Sequence, residues 1–303
     1  MIPQAQDKQF WTEHCHLSGE QLAKLCDTDG GNMRRRIRQA KELYPNLEWF
    51  GGKPDTKLRK GIAIYDLHYP SHHKALWSNF LEFVGDFQPD YFVFGGDNMD
   101  FEVISHWIGD KRRPVEGKRL RRDYRGFNDH ILKPLMDVLP QSCEKTYLFG
   151  NHEDWVEQYI DSHPELEGFL EIENNLDLDD WDVVPYSKSK EIGKLHFIHG
   201  EFTNLHNAYK TAQVYGRNII YGHGHSFQAH TLTHPLDADA YMGMQLPCAC
   251  VLNPHYRLNK PNAWVNGFGA FYMQPNGKFN LFPVLSQQDG SFVAPTGKEY
   301  KRG

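Results

Sequence analysis

Five short apolar runs that end in polar residues constrain the fold of this chain most. The runs are 61–66, 91–97, 145–151, 195–200 and 218–225. An apolar run of this length, bounded by turn residues, predicts a buried strand. An amphipathic pattern over 73–84 predicts a helix between the first two strands. Strands that are connected by helices at this spacing predict an α/β fold.

Composition excludes several classes of protein. The 303 residues are 40% hydrophobic and 24% charged, which supports one sizeable core and excludes a disordered or fibrous chain. No apolar stretch approaches the roughly 20 residues of a membrane-spanning helix, so no membrane partner is expected. Residues 1–11 lack the basic flank and apolar block of a signal peptide, which predicts a cytoplasmic location.

The cysteines also indicate a reducing compartment. Their number, five, is odd and their spacing lacks the two pairs of a zinc ribbon, so reduced thiols are expected. Cys248 and Cys250 form a lone C-x-C in an apolar stretch. Without a second pair, buried structural thiols are a better interpretation than a metal site.

The first 50 residues form a pattern of their own. A helix is predicted from residue 18, followed by a Gly-containing break and a basic helix over 33–44. This order is typical of a DNA-binding helix-turn-helix, although a helical hairpin whose arginines only face water explains it equally well. A polar Gly/Pro segment at 51–60 predicts a linker, and 61–303 would form the second domain.

Two additional segments stand out in the second domain. Residues of about 106–130 form a basic insertion between two of the predicted strands. Residues of about 240–295 are aromatic and alternating and contain a Pro-Asn-Gly turn, which predicts β hairpins.

The charge is unevenly distributed along the chain. The formal net charge is −6, yet residues 32–41 carry +5 and residues 111–125 carry +6. The rest of the chain is therefore strongly acidic. Two concentrated basic segments on an acidic body favour a specific polyanionic partner.

Eight side chains that can bind metal or transfer protons lie at or just after the ends of the predicted strands. They are Asp66, His68, Asp97, Asn151, His152, His199, His223 and His225. Ligands of α/β proteins bind at the carboxyl ends of the strands. Eight groups exceed the four ligands of one tetrahedral ion and suit two ions that share a carboxylate. Nitrogen and oxygen ligands without thiolate favour Mn, Fe, Zn or Ni over Mg or Ca.

The spacing of these residues resembles that of the calcineurin-like metallophosphoesterases. All five motifs of that family occur in the family's order over about residues 61–230, as D-x-H (66–68), G-D-x-x-D (96–100), G-N-H-E (150–153), a single H (199) and G-H-x-H (222–225). The resemblance implies a β sandwich flanked by helices and two divalent metal ions, for which Mn is favoured.

The resemblance also implies a role for each residue. Asp66, His68, Asp97 and His225 would hold one metal ion, and Asp97, Asn151, His199 and His223 would hold the other. His152 would face the phosphoryl group as a protonated imidazole, and Asp100 would orient it. The expected reaction is phosphodiester hydrolysis by a hydroxide that the metals activate.

Departures from the family pattern narrow the substrate. Phe101 stands where the phosphoprotein phosphatase branch has an Arg, which argues against a protein phosphatase. The basic residues beside the predicted centre favour nucleic acid, with DNA preferred; the expected substrate-binding residues are Arg112, Arg113, Arg119, Arg121 and Arg122. A nuclease is therefore the first interpretation. A small-molecule nucleotide phosphodiesterase or phosphatase is the alternative, and a DNA-binding regulator with a structural metal site is an alternative of another class.

Overall fold

The computed structural model describes residues 4–47 except 5, 16, 18, 29 and 46, and also residues 57–105, 113–233, 240–254 and 260–301. The chain divides into two compact units. One comprises Met1–Arg59 and Met273–Phe279, and the other comprises Lys60–Tyr272 and Asn280–Gly303. The linker at 51–60 stays a prediction, because residues 51–56 lie outside the described residues.

The N-terminal segment is helical. Its helices are α1 (Lys8–His14), α2 (Gly19–Leu25) and α3 (Gly30–Leu43). They enclose a small core that includes the fully buried Trp11, Leu22, Met33 and Ala40. On α3, Met33 and Ala40 face this core, whereas the basic residues at 34, 35 and 38 are exposed. The helix-turn-helix role stays a prediction.

The rest of the chain alternates strands and helices. The strands are β1 (Arg59–Ile64), β2 (Tyr91–Phe94), β3 (Glu144–Leu148), β4 (Trp181–Val184), β5 (Lys190–Ile192), β6 (Leu195–Phe197), β7 (Asn218–Tyr221), β8 (Gln228–Leu232), β9 (Tyr241–Gln245), β10 (Gly267–Met273), β11 (Phe279–Leu285), β12 (Phe292–Val293) and β13 (Glu299–Tyr300). The helices are α4 (Lys74–Phe87), α5 (Leu120–Phe127), α6 (Lys133–Val138), α7 (Asn151–Ser162), α8 (Ile172–Asn175) and α9 (Asn207–Tyr215), with a π-helical turn over Asn128–Leu132.

Two sheets form the core of the second unit. The first has the order β11-β10-β1-β2-β3-β4, and β1 to β4 run parallel to one another. The second has the order β5-β6-β7-β9-β8, in which β6, β7 and β9 are parallel and the two edge strands are antiparallel. The hairpin predicted around the Pro-Asn-Gly turn corresponds to β10 and β11.

The sheets pack against each other through aromatic side chains. The rings of Phe197 on β6 and Phe271 on β10 have centroids 5.5 Å apart. Tyr65, directly after β1, is fully buried and donates a hydrogen bond from its hydroxyl to the Ile220 carbonyl oxygen on β7, at 3.0 Å. These contacts give a β sandwich.

Helices cover the outer faces of the sandwich. The α4 helix begins at Lys74, because the His73 Nδ1 atom accepts a hydrogen bond from the Leu76 amide, and it buries Trp77, Phe80 and Phe83. On the second sheet α9 approaches β9 so closely that a Cβ on Gly243 would lie 2.4 Å from the Ala208 carbonyl oxygen. The predicted α/β fold, a β sandwich flanked by helices, is confirmed. Among the described residues no helix combines the length and apolarity needed to cross a membrane.

Candidate metal centre

The candidate ligands come together at one end of both sheets. Asp66 and His68 follow β1, Asp97 follows β2, and Asn151 opens α7 just after β3. The other three histidines follow two strands of the second sheet, since His199 comes after β6, and His223 and His225 come after β7. Parallel neighbours deliver these residues to the same edge, which brings together positions that are up to 159 residues apart in sequence.

Two overlapping groups of side chains could each hold a metal ion. In the first, Asp66, His68, Asp97 and His225 offer ligand atoms that all lie within 4.8 Å of one another. In the second, Asp97, His199 and His223 meet the same criterion. Asp97 belongs to both groups, so its carboxylate is placed to bridge two ions.

Distances within the cluster place Asp97 at its centre. The Asp97 Oδ2 atom lies 3.3 Å from the His199 Nε2 atom and 3.8 Å from the Nε2 atoms of both His68 and His152. The His199 Nε2 atom is also 3.1 Å from the Asn151 Oδ1 atom. Asn151 therefore lies beside the second group of ligands, where its amide oxygen can add a donor atom.

Three of the histidines are oriented by their outer ring nitrogens. The Nδ1 atom of His68 bonds the Asp100 Oδ1 atom at 2.9 Å, and that of His199 bonds the Gly95 carbonyl oxygen at 3.0 Å. The Nδ1 atom of His225 lies 3.8 Å from the Cys250 Sγ atom. Their Nε2 atoms face inward, an arrangement that fixes the tautomer and ring orientation of metal-binding histidines.

The cluster fits a pair of divalent metal ions. The Nδ1 atom of His223 is buried and has no hydrogen-bond partner within the described residues. It is therefore available to bind a metal ion at the second group. The Nε2 atoms of His68 and His225 face each other at 3.1 Å. Such a concentration of lone pairs and buried carboxylates is costly unless a cation compensates it.

The electrostatics of the cluster favour ionised carboxylates. Burial disfavours the charge on Asp97, but His152, His199 and His68 outweigh it and hold the pKa of this carboxyl well below its usual range. Burial would lower the pKa of His199, but Asp97 outweighs this and raises it to about 9. Likewise burial opposes charge on His68, whereas Asp100 raises the pKa of His68 to about 10. A divalent transition metal binds such a set of carboxylates and imidazoles, and it must displace the protons of His68 and His199, because only a neutral imidazole is a ligand.

Glu153 organises the loop that carries Asp97, a role that the sequence patterns did not reveal. Its fully buried carboxylate accepts hydrogen bonds from the amides of Asp97, Asn98 and Gly150 at 2.8 to 2.9 Å and from the Tyr147 hydroxyl at 3.2 Å. Burial and the nearby Asp97 charge raise the pKa of Glu153 to about 7, against backbone donors that favour its ionised form. The sequence held one signal for this role. Glu153 lies three residues after Gly150, the residue before α7, and a Glu at that spacing is typical of a helix cap.

Two motif glycines are required by close approach to the ligands. A Cβ on Gly150 would lie 2.2 Å from the Asp97 Oδ1 atom, and one on Gly222 would lie 2.4 Å from the Asp66 Oδ2 atom. The ligand backbone is itself strained, since five candidate ligands have left-handed φ angles: Asp66 (52°), His68 (52°), Asp97 (50°), His223 (67°) and His225 (58°). Strain of this kind concentrates at functional sites.

His152 and Asp100 differ from the expected arrangement. The Asp100 carboxylate lies within 4.8 Å of His152, but among the described residues its oxygens bond the His68 Nδ1 atom and the Ser71 hydroxyl rather than the His152 ring. Instead the Asp100 carbonyl oxygen accepts the His152 Nδ1–H at 2.8 Å, so the main chain orients this ring. Burial outweighs the attraction of Asp97 and lowers the pKa of His152 to about 4, which differs from the expected protonated imidazole.

His152 nevertheless lies where a substrate could reach it. Its side chain is 18% exposed, compared with 1% for His199 and 4% for His68. Its main-chain amide donates to the Asp97 Oδ1 atom at 3.0 Å, and its ring stacks on Trp155 with centroids 3.9 Å apart. The side chain is therefore fixed beside the bridging carboxylate at the open side of the cluster.

The basic segment lies beside the motif loops. Helix α5 buries Tyr124 and Phe127, and the Tyr124 ring packs 5.6 Å from that of Phe101, directly after the second motif. Its outward side carries Arg121 and Arg122, and Arg113 and Arg119 before the helix are also exposed. No direct contact of these arginines with the metal-binding cluster occurs within the described residues, and Arg112 lies outside them.

Cys248 and Cys250 are buried, as expected. Cys248 donates to the Val265 carbonyl oxygen at 3.3 Å, and Cys250 supports His225. The ligand atoms of both thiols and of His225 lie close enough to form a further metal-binding group. The contact with His225 is therefore a finding that the spacing of the two cysteines did not predict.

The fold and site define an α/β protein with a buried Asp/His centre that could hold metal ions. In its five motifs and its two-sheet fold the chain resembles the calcineurin-like metallophosphoesterases. No family model matches the chain.

Similar proteins include two from bacteriophages. The Gene 54 protein of Mycobacterium phage D29 is 23% identical over 242 residues, which cover 74% of this chain and 93% of that protein. The Gene 54 protein of Mycobacterium phage L5 is 26% identical over 188 residues, which cover 56% and 71%.

Three solved structures are similar to this chain at low sequence identity. A Vps29 mutant from Entamoeba histolytica superposes with a TM-score of 0.39 at 11% identity and covers 80% of this chain and 99% of its own. A predicted phosphoesterase from Streptococcus pneumoniae gives 0.35 at 13% identity, with 81% and 99% covered. The nuclease MPE of Pseudomonas putida gives 0.31 at 10% identity, with 74% and 86% covered.

Proposed function

We propose that this protein is a metal-dependent phosphodiesterase that hydrolyses nucleic acid. The observation that carries the proposal is the position of Asp97, whose carboxylate belongs to two adjacent ligand groups at once. Two-metal sites that share ligands are characteristic of enzymes that cleave phosphate esters. In this proposal Asp66, His68, Asp97 and His225 hold one ion, and Asp97, Asn151, His199 and His223 hold the other.

When bound, two divalent ions would neutralise phosphate oxygens and lower the pKa of water toward neutrality. The protein supplies position and exclusion of solvent. The Asp97 amide donates a hydrogen bond to the Glu153 carboxylate, which fixes the loop. The Asp100 carboxylate orients His68, and the Gly95 carbonyl oxygen orients His199. His152 faces the phosphoryl group with Nε2, since its Nδ1–H is engaged by the Asp100 carbonyl oxygen. Nε2 donates to a phosphoryl oxygen only when the ring is protonated, and the negative charge of the bound phosphate favours that form.

Nucleic acid is proposed as the substrate because exposed cations flank the centre. Arg121, Arg122 and Arg125 line the outer side of α5, Arg119 directly precedes it, and the buried side of the helix packs against the motif loop. When the scissile phosphate of a nucleic-acid strand lies at the metal cluster, the rest of the strand extends beyond the cluster. Its neighbouring phosphates can then bind these arginines. DNA is the nucleic acid that we propose, and the substrate panel described below includes RNA.

The first experiment tests for metal-dependent hydrolysis. Protein stripped by a chelator and reloaded with Mn²⁺, Fe²⁺, Ni²⁺ or Zn²⁺ is assayed with bis-p-nitrophenyl phosphate. We expect turnover with at least one metal, Mn²⁺ being favoured, and none with chelator. Inactivity with all four metals would contradict the enzymatic proposal, and retained DNA binding would then favour a regulator with a structural metal site.

Matched variants connect turnover to the cluster. Asp97→Asn should bind less metal, measured by elemental analysis, and lose turnover, because the bridge loses its charge. Asp182→Asn, an exposed change on β4, is the control and should have no effect. His152→Ala should lower turnover by about 10²- to 10⁴-fold while both ions remain bound. Metal loss in His152→Ala would show that His152 is a ligand.

A substrate panel separates the proposed nuclease from a small-ester enzyme. The panel contains single- and double-stranded DNA, RNA, cyclic nucleotides and phosphomonoesters, each with and without Mn²⁺. A nuclease should prefer a polymer, and its KM should rise steeply with salt because several phosphates are contacted. Preference for a mononucleotide ester with a flat salt dependence would instead favour a small-molecule phosphodiesterase.

A further inference from the structure

A cleft of about 630 Å³ lies between the start of α5, the turn Glu102–Ile104 and the outer side of α7. Its lining combines apolar and aromatic side chains with a few polar ones, which is the composition of a ligand-binding cleft of ordinary size. Its lining includes Arg119, Trp155, Tyr159 and His163.

A line of ring contacts on α7 leads from the metal centre to the cleft. Trp155 lines the cleft and stacks on His152 with centroids 3.9 Å apart and planes inclined by 30°. One turn further along, Tyr159 stacks on His163 at 4.2 Å and 21°. The spacing of three or four residues places all four rings on one side of the helix, leading away from the cluster.

The outer part of this line of rings does not belong to the core, whereas Trp155 at its inner end is buried and does. Tyr159 and His163 are only partly buried, and Tyr159 does not belong to the hydrophobic core cluster. Their faces and edges therefore line a cavity at the surface, where planar groups can stack on them. Stacking on aromatic side chains is the main sequence-independent way in which proteins hold unpaired bases.

Charge on the opposite wall matches a nucleotide backbone. The exposed Arg119 guanidinium donates to the Lys118 carbonyl oxygen at 2.7 Å and forms no ion pair with a carboxylate within the described residues. Lys118 is paired with Glu102, so Arg119 is the cleft cation that can still meet a phosphate. Base-stacking rings on one wall and a cation on the other are the elements of a single-strand binding groove.

We propose that this cleft binds the nucleotides that flank the scissile phosphate in a single strand, with a base stacked against Tyr159 and a phosphate beside Arg119. The proposal rests on the proposed function, because His152 is taken to face the cleaved phosphate. It adds the form of the substrate, an unpaired strand, and the direction in which that strand leaves the metal centre.

The test uses base stacking rather than cleavage as its readout. Short phosphorothioate oligonucleotides that contain one 2-aminopurine, as DNA and as RNA, are titrated onto the Mn²⁺-loaded protein. Stacking quenches 2-aminopurine fluorescence. We expect quenching with wild type, and Tyr159→Leu should lose it and bind about tenfold more weakly. Tyr159→Phe should behave as wild type, because stacking needs the ring but not the hydroxyl.

Two further variants complete the design. Tyr209→Leu removes another partly exposed tyrosine that contacts a histidine, His230, but lies on α9 outside the cleft, so it should leave quenching and affinity unchanged. Arg119→Gln should lower the slope of log affinity against log salt by about 0.7, the value for one neutralised phosphate on a single strand.

The outcomes separate this inference from the proposed function. If Tyr159→Leu loses the quenching seen with wild type, the proposed cleft is supported. Whether the DNA or the RNA oligonucleotide shows this loss identifies the nucleic acid that the cleft binds. Unchanged quenching and affinity in both arms overturn it, even if bis-p-nitrophenyl phosphate is hydrolysed. Absence of hydrolysis by wild type contradicts the proposed function, whereas the quenching assay does not depend on turnover.

Discussion

At the scale of single residues, Glu153 shows how the centre depends on a side chain that binds no metal. It is fully buried, and each of its carboxylate oxygens accepts more than one hydrogen bond from the loop around Asp97 or the start of α7. Charged acceptors of several amides are worth more than neutral ones. The position of Asp97 therefore depends on the two acceptor oxygens of Glu153.

We expect Glu153→Gln to weaken both metal binding and the fold. The amide keeps the volume but turns a donor NH₂ toward amides that can only donate. Metal affinity should fall by about 10- to 100-fold, the usual effect of changing a group that orients a ligand, and unfolding should require about 2 kcal/mol less. Metal titration and urea denaturation measure the two effects. Glu157→Gln, one turn further along α7, is the control, and an equal effect there would remove the special role of Glu153.

His72 is a second buried group whose behaviour can be tested, and it binds no metal in the proposed scheme. Its ring stacks on Tyr69 at 5.3 Å, and its Nδ1 atom has no partner among the described residues. Burial, and secondarily the charge of Lys74, lowers the pKa of His72 to about 4. The unfolded chain takes up this proton below about pH 6.5, whereas the folded chain does not, so stability is lost as the pH falls from 6.5 toward 4.

Replacing His72 by Phe should reduce that loss. Between pH 7.5 and 5.0 the free energy of unfolding of wild type should fall by about 2 kcal/mol more than that of His72→Phe, since about 1.5 pH units of unfavourable proton uptake are removed. Urea denaturation at both pH values of the metal-free protein measures the difference. Substitution of the exposed His206 by Phe is the control, and identical pH dependence in all three proteins would show that His72 does not carry the effect.

At the scale of secondary-structure elements, the turn between β3 and α7 is set by steric fit. Gly150 has an ordinary φ of −95°, so its backbone does not require glycine. A Cβ at this position would instead lie 2.2 Å from the Asp97 Oδ1 atom and 2.3 Å from its amide nitrogen. The helix can thus begin beside the bridging carboxylate only without a side chain at residue 150.

Gly150→Ala should therefore displace Asp97 and lower metal affinity by at least about tenfold, comparable to the loss of an orienting partner. The matched control is Gly85→Ala in α4, where the added methyl would lie 3.7 Å from the Val138 Cβ atom. That change should preserve metal binding and stabilise the helix by up to about 1 kcal/mol. Elemental analysis and thermal denaturation distinguish the two; normal metal content in Gly150→Ala would show that the loop relaxes.

The strands that carry the ligands were predictable because each is rich in apolar, mostly buried residues and is followed by polar residues. Strand β8 was not predicted, since most of its residues are exposed and it exists only by pairing with β9. The partner of Asp100 was not predictable either. Its carboxylate bonds His68 rather than His152, a choice that depends on how two loops cross and not on spacing within a motif.

At the scale of the whole molecule, the two basic segments lie in different units. The segment at 111–125 belongs to the unit with the metal centre, and the segment at 32–41 forms most of α3 in the N-terminal unit. On α3 the apolar positions 33 and 40 face the small helical core, which leaves the basic positions 34, 35 and 38 exposed. An exposed basic helix after a short turn is compatible with either helix-turn-helix binding or a solvated surface.

Neutralising α3 distinguishes these two roles. We expect Arg34→Gln, Arg35→Gln and Arg38→Gln combined to weaken binding to double-stranded DNA and to lower the slope of log affinity against log salt by up to about 2.7, or about 0.9 for each phosphate that the variant no longer neutralises. Hydrolysis of bis-p-nitrophenyl phosphate should be unchanged, because these residues lie outside the metal centre. The control neutralises Lys188, Arg217 and Lys260 together, which makes the same change in net charge elsewhere. Equal effects of the two triple variants would mean that net charge, and not α3, attracts the DNA.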